Sequence, residues 1–403
     1  MKINWQTKKL GEVCDFYNGL WKSKKPSYIE VGVIRNTNFT KDGSLDYSDI
    51  AYLDVEKRQF ENRKLIYGDI ILEKSGGGPK QPVGRVVIFD KKDGEFSFSN
   101  FTSAIRVKNS MELDFNFLHK FLFFSYISGI TEKMQSHSTG IRNLDSKLYK
   151  NIEIPLPPLL EQHHIVKILD AVFADVAKAK ENAEKNLQNA KELFESYLQS
   201  VFANPGEDWE EKTLEQVSIT FGRGKSKHRP RNDKKLYNGK YPFIQTGDIR
   251  NCNHFIEKYT QTYNEIGLAQ SKLWPKGTIC ITIAANIAET GILNFDACFP
   301  DSVIGIVVNP KITELNFVEY LLQSFKVQIQ AKGKGSAQKN INMATFENEL
   351  FPFPPLSEQK SIVAKLDALS TETKKLEANY KQKLVDLEEL KKSVLRKSFS
   401  GEL

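Results

Sequence analysis

The chain has 403 residues, too many for one ordinary hydrophobic core, so two or more domains are expected. Its apolar content of 40%, with 26 phenylalanines, argues against disorder as a global description, and its net charge of +7 favours a polyanionic partner, nucleic acid or membrane surface, with a solubilising surface as the alternative. The four cysteines, Cys14, Cys252, Cys280 and Cys298, have neither C-x-x-C spacing nor a neighbouring histidine pattern, which excludes the usual zinc frameworks and fits reduced, buried thiols.

In chain order, "MKINWQTKKLGEV" lacks the apolar core and cleavage site of a signal peptide. A first mixed domain over residues 1–153 follows. Short β-type runs such as "GDIILE" and "GRVVIF" are punctuated by turns, and "FNFLHKFLFFSYI" reads as a helix. That apolar run carries His119 and Lys120 and falls short of the ~20 residues that span a bilayer. We therefore expect a cytoplasmic protein with no membrane partner.

At residue 154 the pattern changes. "IPLPPLLEQHHIVKILDA" opens with prolines that exclude a helix interior and continues with a Glu-Gln pair suited to a first helical turn. Apolar or small residues then recur at Ile165, Leu169, Val172, Val176, Ala179, Ala183, Leu187, Ala190, Phe194, Tyr197 and Val201, a 4-3 alternation over several heptads. The spacing predicts a helical rod over 154–204, ~60 Å long at 1.5 Å per residue.

A second domain over 205–350 echoes the first. "WEEKTLEQVSITFGRG" resembles "WQTKKLGEVCDFYNG", "FPDSVIGIVV" resembles "FSNFTSAIRV", and "TICITIA" and "LNFVEYLLQSFKVQI" supply a strand and a helix. A second rod over 351–403 opens with "FPFPPLSEQKSIVAKLDA". Its apolar positions include Ile362, Leu366, Leu369, Leu376, Tyr380, Leu384, Leu387 and Val394. The offset between the rods is 351 − 154 = 197, and it holds for Leu193, Ser196, Leu198 and Phe202 against Leu390, Ser393, Leu395 and Phe399. An offset unchanged over so long a stretch fits a rigid element. The fold class is α+β and internally duplicated: two divergent globules alternate with two constant helices.

This order of globules and rods, with the "PLPPLLEQ" entry and the "SFSGEL" ending, resembles the specificity subunits of type I restriction–modification systems over essentially the full length. The resemblance implies that each globule is a target-recognition domain reading half of an interrupted, asymmetric duplex DNA sequence. It further implies that the rods pair as an antiparallel coiled coil and dock two copies of an adenine-N6 methyltransferase subunit, joined for restriction by motor-nuclease subunits. Cofactors (S-adenosylmethionine, ATP and Mg²⁺) are then expected on those partners and none on this chain.

For DNA contact the basic loops are the first candidates. "FGRGKSKHRPRNDKK" supplies Arg223, Lys225, Lys227, Arg229 and Arg231, and its counterpart "NGLWKSKKPS" supplies Lys22, Lys24 and Lys25. Such loops suit phosphate contacts, which position without reading sequence; a solvated charge run is the alternative. Base reading requires side chains that present paired donors and acceptors to base edges. The candidates are Arg35, Asn36, Lys80, Gln81 and Arg85 in the first domain and Gln245, Arg250, Asn251 and Asn286 in the second, with ordinary turn residues as the alternative. "SHSTGIRN" and "KGKGSAQKN" place Arg142 and Lys339 at matching points before each rod, as DNA-closing segments or plain connectors. Off-seam apolar residues, Leu160, Ile168, Phe173, Leu193, Leu198 and Phe202, are candidates for docking the methyltransferase or for packing on the globules.

Catalytic signatures are missing from the sequence. "GKS" at 224–226 and "GKGS" at 333–336 lack the upstream glycine of a P-loop. No G-x-G-x-x-G follows a strand, no Asn/Asp-Pro-Pro-aromatic tetrad occurs, and His163 and His164 stand without further ligands. We expect no catalytic centre and no metal site. A diverged nuclease or methyltransferase and a pure assembly scaffold remain the alternatives.

Overall fold

The computed structural model describes residues 5–21, 26–78, 81–136, 141–284, 287–334 and 343–402. The chain divides into two compact units, Met1–Glu184 with Gln382–Leu403, and Lys185–Lys381. Both boundaries fall inside long helices, Leu159–Ala203 and Leu356–Ser400, each of 45 residues. Each unit therefore combines one globule with the N-terminal stretch of one long helix and the C-terminal stretch of the other.

In the first unit, Cys14–Asn18, Thr102–Val107, Ile70–Glu73 and Val86–Ile88 form an antiparallel sheet in that spatial order. A second sheet joins Ala51–Glu56, Tyr28–Ile34 and Phe96–Phe98, the last two in parallel. The helix Phe115–Ile127 buries Phe117, Leu118, Phe121 and Leu122 against the first sheet. The same core takes in Ile165 and Leu169 from one long helix and Leu395 from the other, with Phe399 edge-on to Phe117 and Phe121. Lys391 lies over the Phe173 ring and Lys180 pairs with Glu388, so the two stretches run antiparallel.

The second unit repeats this plan. Ser218–Arg223, Val303–Val308, Ile279–Thr282, Thr290–Leu293 and Phe255–Ile256 make a five-stranded sheet, and Gln261–Tyr263, Tyr237–Phe243, Ala297–Cys298 and Leu273–Trp274 a four-stranded one. The helix Leu315–Lys334 packs Phe317, Val318 and Leu321 into a core shared with Leu198, Phe202, Val363 and Leu366. Adding 197 to Ile165, Leu169, Leu198 and Phe202 gives Ile362, Leu366, Leu395 and Phe399, so the repeat uses the same helix positions to close both cores.

The proline phrases have a definite place. Gln6–Lys9 pairs antiparallel with Glu153–Leu156, and Glu210–Lys212 with Phe351–Phe353, so each globule's N-terminal strand is zipped to its own exit. Two-stranded edges tolerate prolines, which lack an N–H for a second ladder. The glutamine of each Glu-Gln pair is buried (Gln162 0%, Gln359 1% exposed). Gln162 accepts from Asp114 N–H (2.8 Å) and donates to the carbonyls of Pro157 and Glu112 (both 2.8 Å). Gln359 accepts from Glu314 N–H (2.9 Å) and the Thr313 hydroxyl (2.8 Å) and donates to the Pro354 carbonyl (2.9 Å). Each glutamine ties its long helix to the cap of the globule's packing helix, whose carboxylate (Asp114 or Glu314) accepts from the N–H of Phe117 or Phe317.

Candidate nucleic-acid interface

One turn recurs in both units. In the first, the strand Tyr28–Ile34 ends at Arg35, whose N–H donates to Asn38 Oδ1 (2.9 Å) to start the 3-10 turn Asn36–Asn38. In the second, the strand Tyr237–Phe243 leads to Gln245, whose N–H donates to Asp248 Oδ2 (2.8 Å) to start the helix Thr246–Arg250. Arg35 and Gln245 thus occupy the same capped position. Arg35 directs Nη2 to the Asp49 carbonyl (2.9 Å) and carboxylate (3.2 Å), while Gln245 donates to Gln261 Oε1 (2.6 Å).

Around Glu73, which is 1% exposed, three other sequence candidates converge. Arg85 forks onto its carboxylate through Nε (2.7 Å) and Nη2 (3.0 Å) and also donates to the carbonyls of Asn36 and Phe39. Asn36 Nδ2 donates to Glu73 Oε1 (3.1 Å), and in the orientation that satisfies both groups Gln81 turns its amide oxygen to Arg85 (2.8 Å). These residues and Gly76–Gly78 line a cleft of about 380 Å³. With its donors spread over Glu73 and two carbonyls, Arg85 holds Asn36 and Gln81 around this cleft. The matching hairpin end of the second unit joins Thr282 and Glu289, and there Glu289 pairs with Lys326 (2.7 Å), a reversal of charge at the same place.

Two segments that the sequence presents separately form one small sheet: Ser75–Gly77, Arg142–Leu144 and Gln135–Ser136. Arg142 stands opposite Gly77 in the register and lies 3.6 Å from Glu132.

The basic loop of the second unit is ordered by its own charges. Arg231 grips both Asp301 oxygens (2.7 and 2.8 Å), Arg223 Nε donates to the Asp301 carbonyl (2.7 Å), and Arg229 donates to the carbonyls of Ser226 and His228. His228 meets Asp233 at 2.9 Å, and the Lys235 backbone N–H with His228 holds the Asp233 carboxyl down at about 2. Lys225 and Lys227 are exposed. Lys272, which the sequence reading passed over, lies 3.6 Å from the centre of the Trp274 ring, and burial with the nearby Lys225 lowers its pKa. The basic "SKLWPKG" around it was the available signal. Arg250 and Asn251 are exposed at the far end of the short helix from Gln245, with Arg250 on a cleft lined also by His254 and Gln199. The second unit's described candidates are thus spread over three places, whereas most of the first unit's described ones gather around Glu73 and Gly77.

Lys22, Lys24, Lys25, Lys80, Asn286 and Lys339 lie outside the described residues. On the long helices, Leu198 (4% exposed) and Phe202 (5%) belong to the second unit's core, the packing alternative of the two given for them. Phe173 and Ile168 are half-buried, and Leu160 (84%) and Leu193 (50%) are exposed. Among the described residues no group of three or more His, Cys, Asp or Glu side chains is placed to hold a metal ion, and no helix is long and apolar enough to cross a membrane.

The sequence model of the type I restriction modification DNA specificity domain matches residues 2–186 and 206–385. The chain belongs to that family. It is 24% identical over 416 residues to the putative type I restriction enzyme MjaX specificity subunit of Methanocaldococcus jannaschii, covering 99% of this chain and 94% of that one. Among solved structures, the crystal structure of the HsdS subunit from Thermoanaerobacter tengcongensis has the same fold: TM-score 0.67, 21% identity, with 99% and 97% of the two chains covered. A chain from a structure of type I restriction–modification complex assembly and conformational transition is similar at TM-score 0.78, 20% identity, with 99% and 98% covered.

Proposed function

We propose that this chain is the non-catalytic DNA-specificity subunit of a type I restriction–modification complex and reads an asymmetric, bipartite duplex target. The observation that carries the reading is the capped turn that recurs with Arg35 in one unit and Gln245 in the other. One backbone frame offers two different base-reading groups: an Arg suits guanine O6/N7 and a Gln suits adenine N6/N7. Two unlike readers imply two unlike half-sites.

Around them, Asn36, Gln81 and Arg142 in the first unit and Arg250 and Asn251 in the second complete the base and backbone contacts. Lys225, Lys227 and the Asp301-ordered arginines serve the phosphates, whose neutralisation dominates affinity. Two adenine-N6 methyltransferase subunits dock on the long helices, and motor-nuclease subunits join for restriction. S-adenosylmethionine, ATP and Mg²⁺ reside on those partners.

The test is affinity selection from a randomised duplex library by the full chain in complex with its methyltransferase. An enriched motif with two different half-sites and a fixed gap is expected. Enrichment of a palindrome, or of nothing, contradicts the reading.

A further inference from the structure

The first unit has a second cleft, of about 470 Å³, that shares no lining residue with the one around Glu73. Strand alternation separates them: Leu72 and Lys74 line this cleft, while Glu73 lines the other. Buried Leu72, Ser103 and Tyr149 contribute to its lining, and the Tyr149 hydroxyl, on a side chain 1% exposed, has no hydrogen-bond partner. Trp21 and Phe101 also line it, although they are 63% and 46% exposed. Polar groups complete it: Lys74 donates to Asn18 Oδ1 (2.8 Å), and Ser75 donates to Asn143 Oδ1 (2.6 Å).

Two large aromatic rings left in water beside amides and an ammonium form a site for a flat, polar-edged ring. In a duplex the base faces are stacked and only the edges are presented, so a stacked base cannot meet those rings face on. We propose that this cleft holds one DNA base turned out of the stack, its faces against Trp21 and Phe101 and its edge on the amide and ammonium groups. The proposal rests on the DNA-reading function above and names a contact of that site.

The second unit is built differently at the same place. Gly19 and Gly224 correspond, since Leu20 N–H donates to the Phe98 carbonyl (2.9 Å) and Lys225 N–H to the Phe299 carbonyl (3.1 Å). A Cβ at Gly19 would lie 1.9 Å from the Ser99 carbonyl oxygen, and one at Gly224 2.4 Å from that of Phe299, so neither position admits a side chain. By that correspondence Ser226 and Ser302 replace Trp21 and Phe101, and Arg223 replaces Asn18. The displaced base therefore belongs to one half-site only.

The experiment uses the selected duplex and the complex of the full chain with its methyltransferase. An abasic site is placed opposite each base in turn and affinity is measured by fluorescence anisotropy. Unpairing is already accomplished at such a site, so binding tightens about tenfold where a base must leave the stack. The expected result is one position in one half-site whose tightening is lost in Trp21→Ala and Phe101→Ala and kept in Trp21→Phe. Both side chains are substantially exposed, and thermal midpoints verify that the variants fold. Sequence-specific binding with no Trp21- and Phe101-dependent position overturns the proposal while sparing the DNA reading. A tightening that survives both alanine variants belongs to the partner's methyl-transfer site and also counts against it. Loss of methyltransferase binding in Trp21→Ala, with DNA binding intact, would make the cleft a protein contact and overturn the proposal. Failure to select any duplex removes the DNA reading and this proposal together.

Discussion

Gln162 and Gln359 carry much of the junction between long helix and globule, because each satisfies several buried groups at once. In the sequence they are the second residue of a repeated Glu-Gln pair, and only the glutamate had a reason to be there, in the field of the helix dipole. What the amide does depends on a chain segment some fifty residues away, which local pattern does not reveal. Gln359→Leu leaves the Glu314 N–H, the Thr313 hydroxyl and the Pro354 carbonyl unpaired; at roughly 1–3 kcal/mol per stranded group, a loss of about 3 kcal/mol is expected in urea denaturation. A loss below about 0.5 kcal/mol contradicts the assignment. A second buried pair makes a pH-dependent contribution. His254 Nδ1 lies 2.7 Å from Glu319, whose side chain is fully buried and also accepts from Thr290 and Gln323. Burial disfavours the imidazolium, but Glu319 and Asn316 outweigh it and raise the His254 pKa above 6.5. The pair's contribution is therefore fully present below about 6.5 and is lost as pH rises through the raised value. The thermal midpoint of the wild type should fall relative to that of His254→Asn as pH rises above about 6.5. A pH-independent difference would contradict the pairing. In the first unit the helix position of Glu319 is taken by His119, where burial and Lys120 push its pKa down to about 4, so it stays neutral there.

At the scale of elements, the long helices were the most legible part of the sequence. Ile165, Leu169, Val176, Ala183 and Ala190, read from the heptad alternation, are all buried. The off-seam stripe was readable as apolar, but not as to what covers it. Leu198 and Phe202 turned out to close a core, whereas Leu160 and Leu193 stay in water, because apolar pattern records the need for a neighbour and not its identity. Strands such as Ile70–Glu73, Val86–Ile88 and Ile279–Thr282 fall where β-type runs were read. Their spatial order was not legible, nor was the pairing of Ser75–Gly77 with Arg142–Leu144, since strand partners far apart in sequence leave no local mark. The Arg85–Glu73 pairing was not legible either, since Glu73 lies twelve residues earlier across a hairpin. Leu160→Glu and Leu193→Glu should abolish co-purification of the methyltransferase while each changes stability by no more than about 0.5 kcal/mol, as exposed substitutions do. Retention of the partner by both variants would refute docking at these positions.

At the scale of the whole molecule, duplication gives each unit the same frame: a zipped strand pair, a buried glutamine, a capped packing helix and the same four core positions on the long helices. What the frame displays has diverged. Arg35 corresponds to Gln245, the Arg85–Glu73 fork to Glu289–Lys326, and Trp21 to Ser226. A constant frame with divergent display is the physical requirement for reading two different half-sites, and it is the central claim. The most direct test is a base-resolution map of adenine methylation in cells that carry the methyltransferase partner, with and without this chain. The account predicts an interrupted motif with unlike halves that is methylated only when the chain is present. An unchanged map, with the complex shown to assemble, would contradict it.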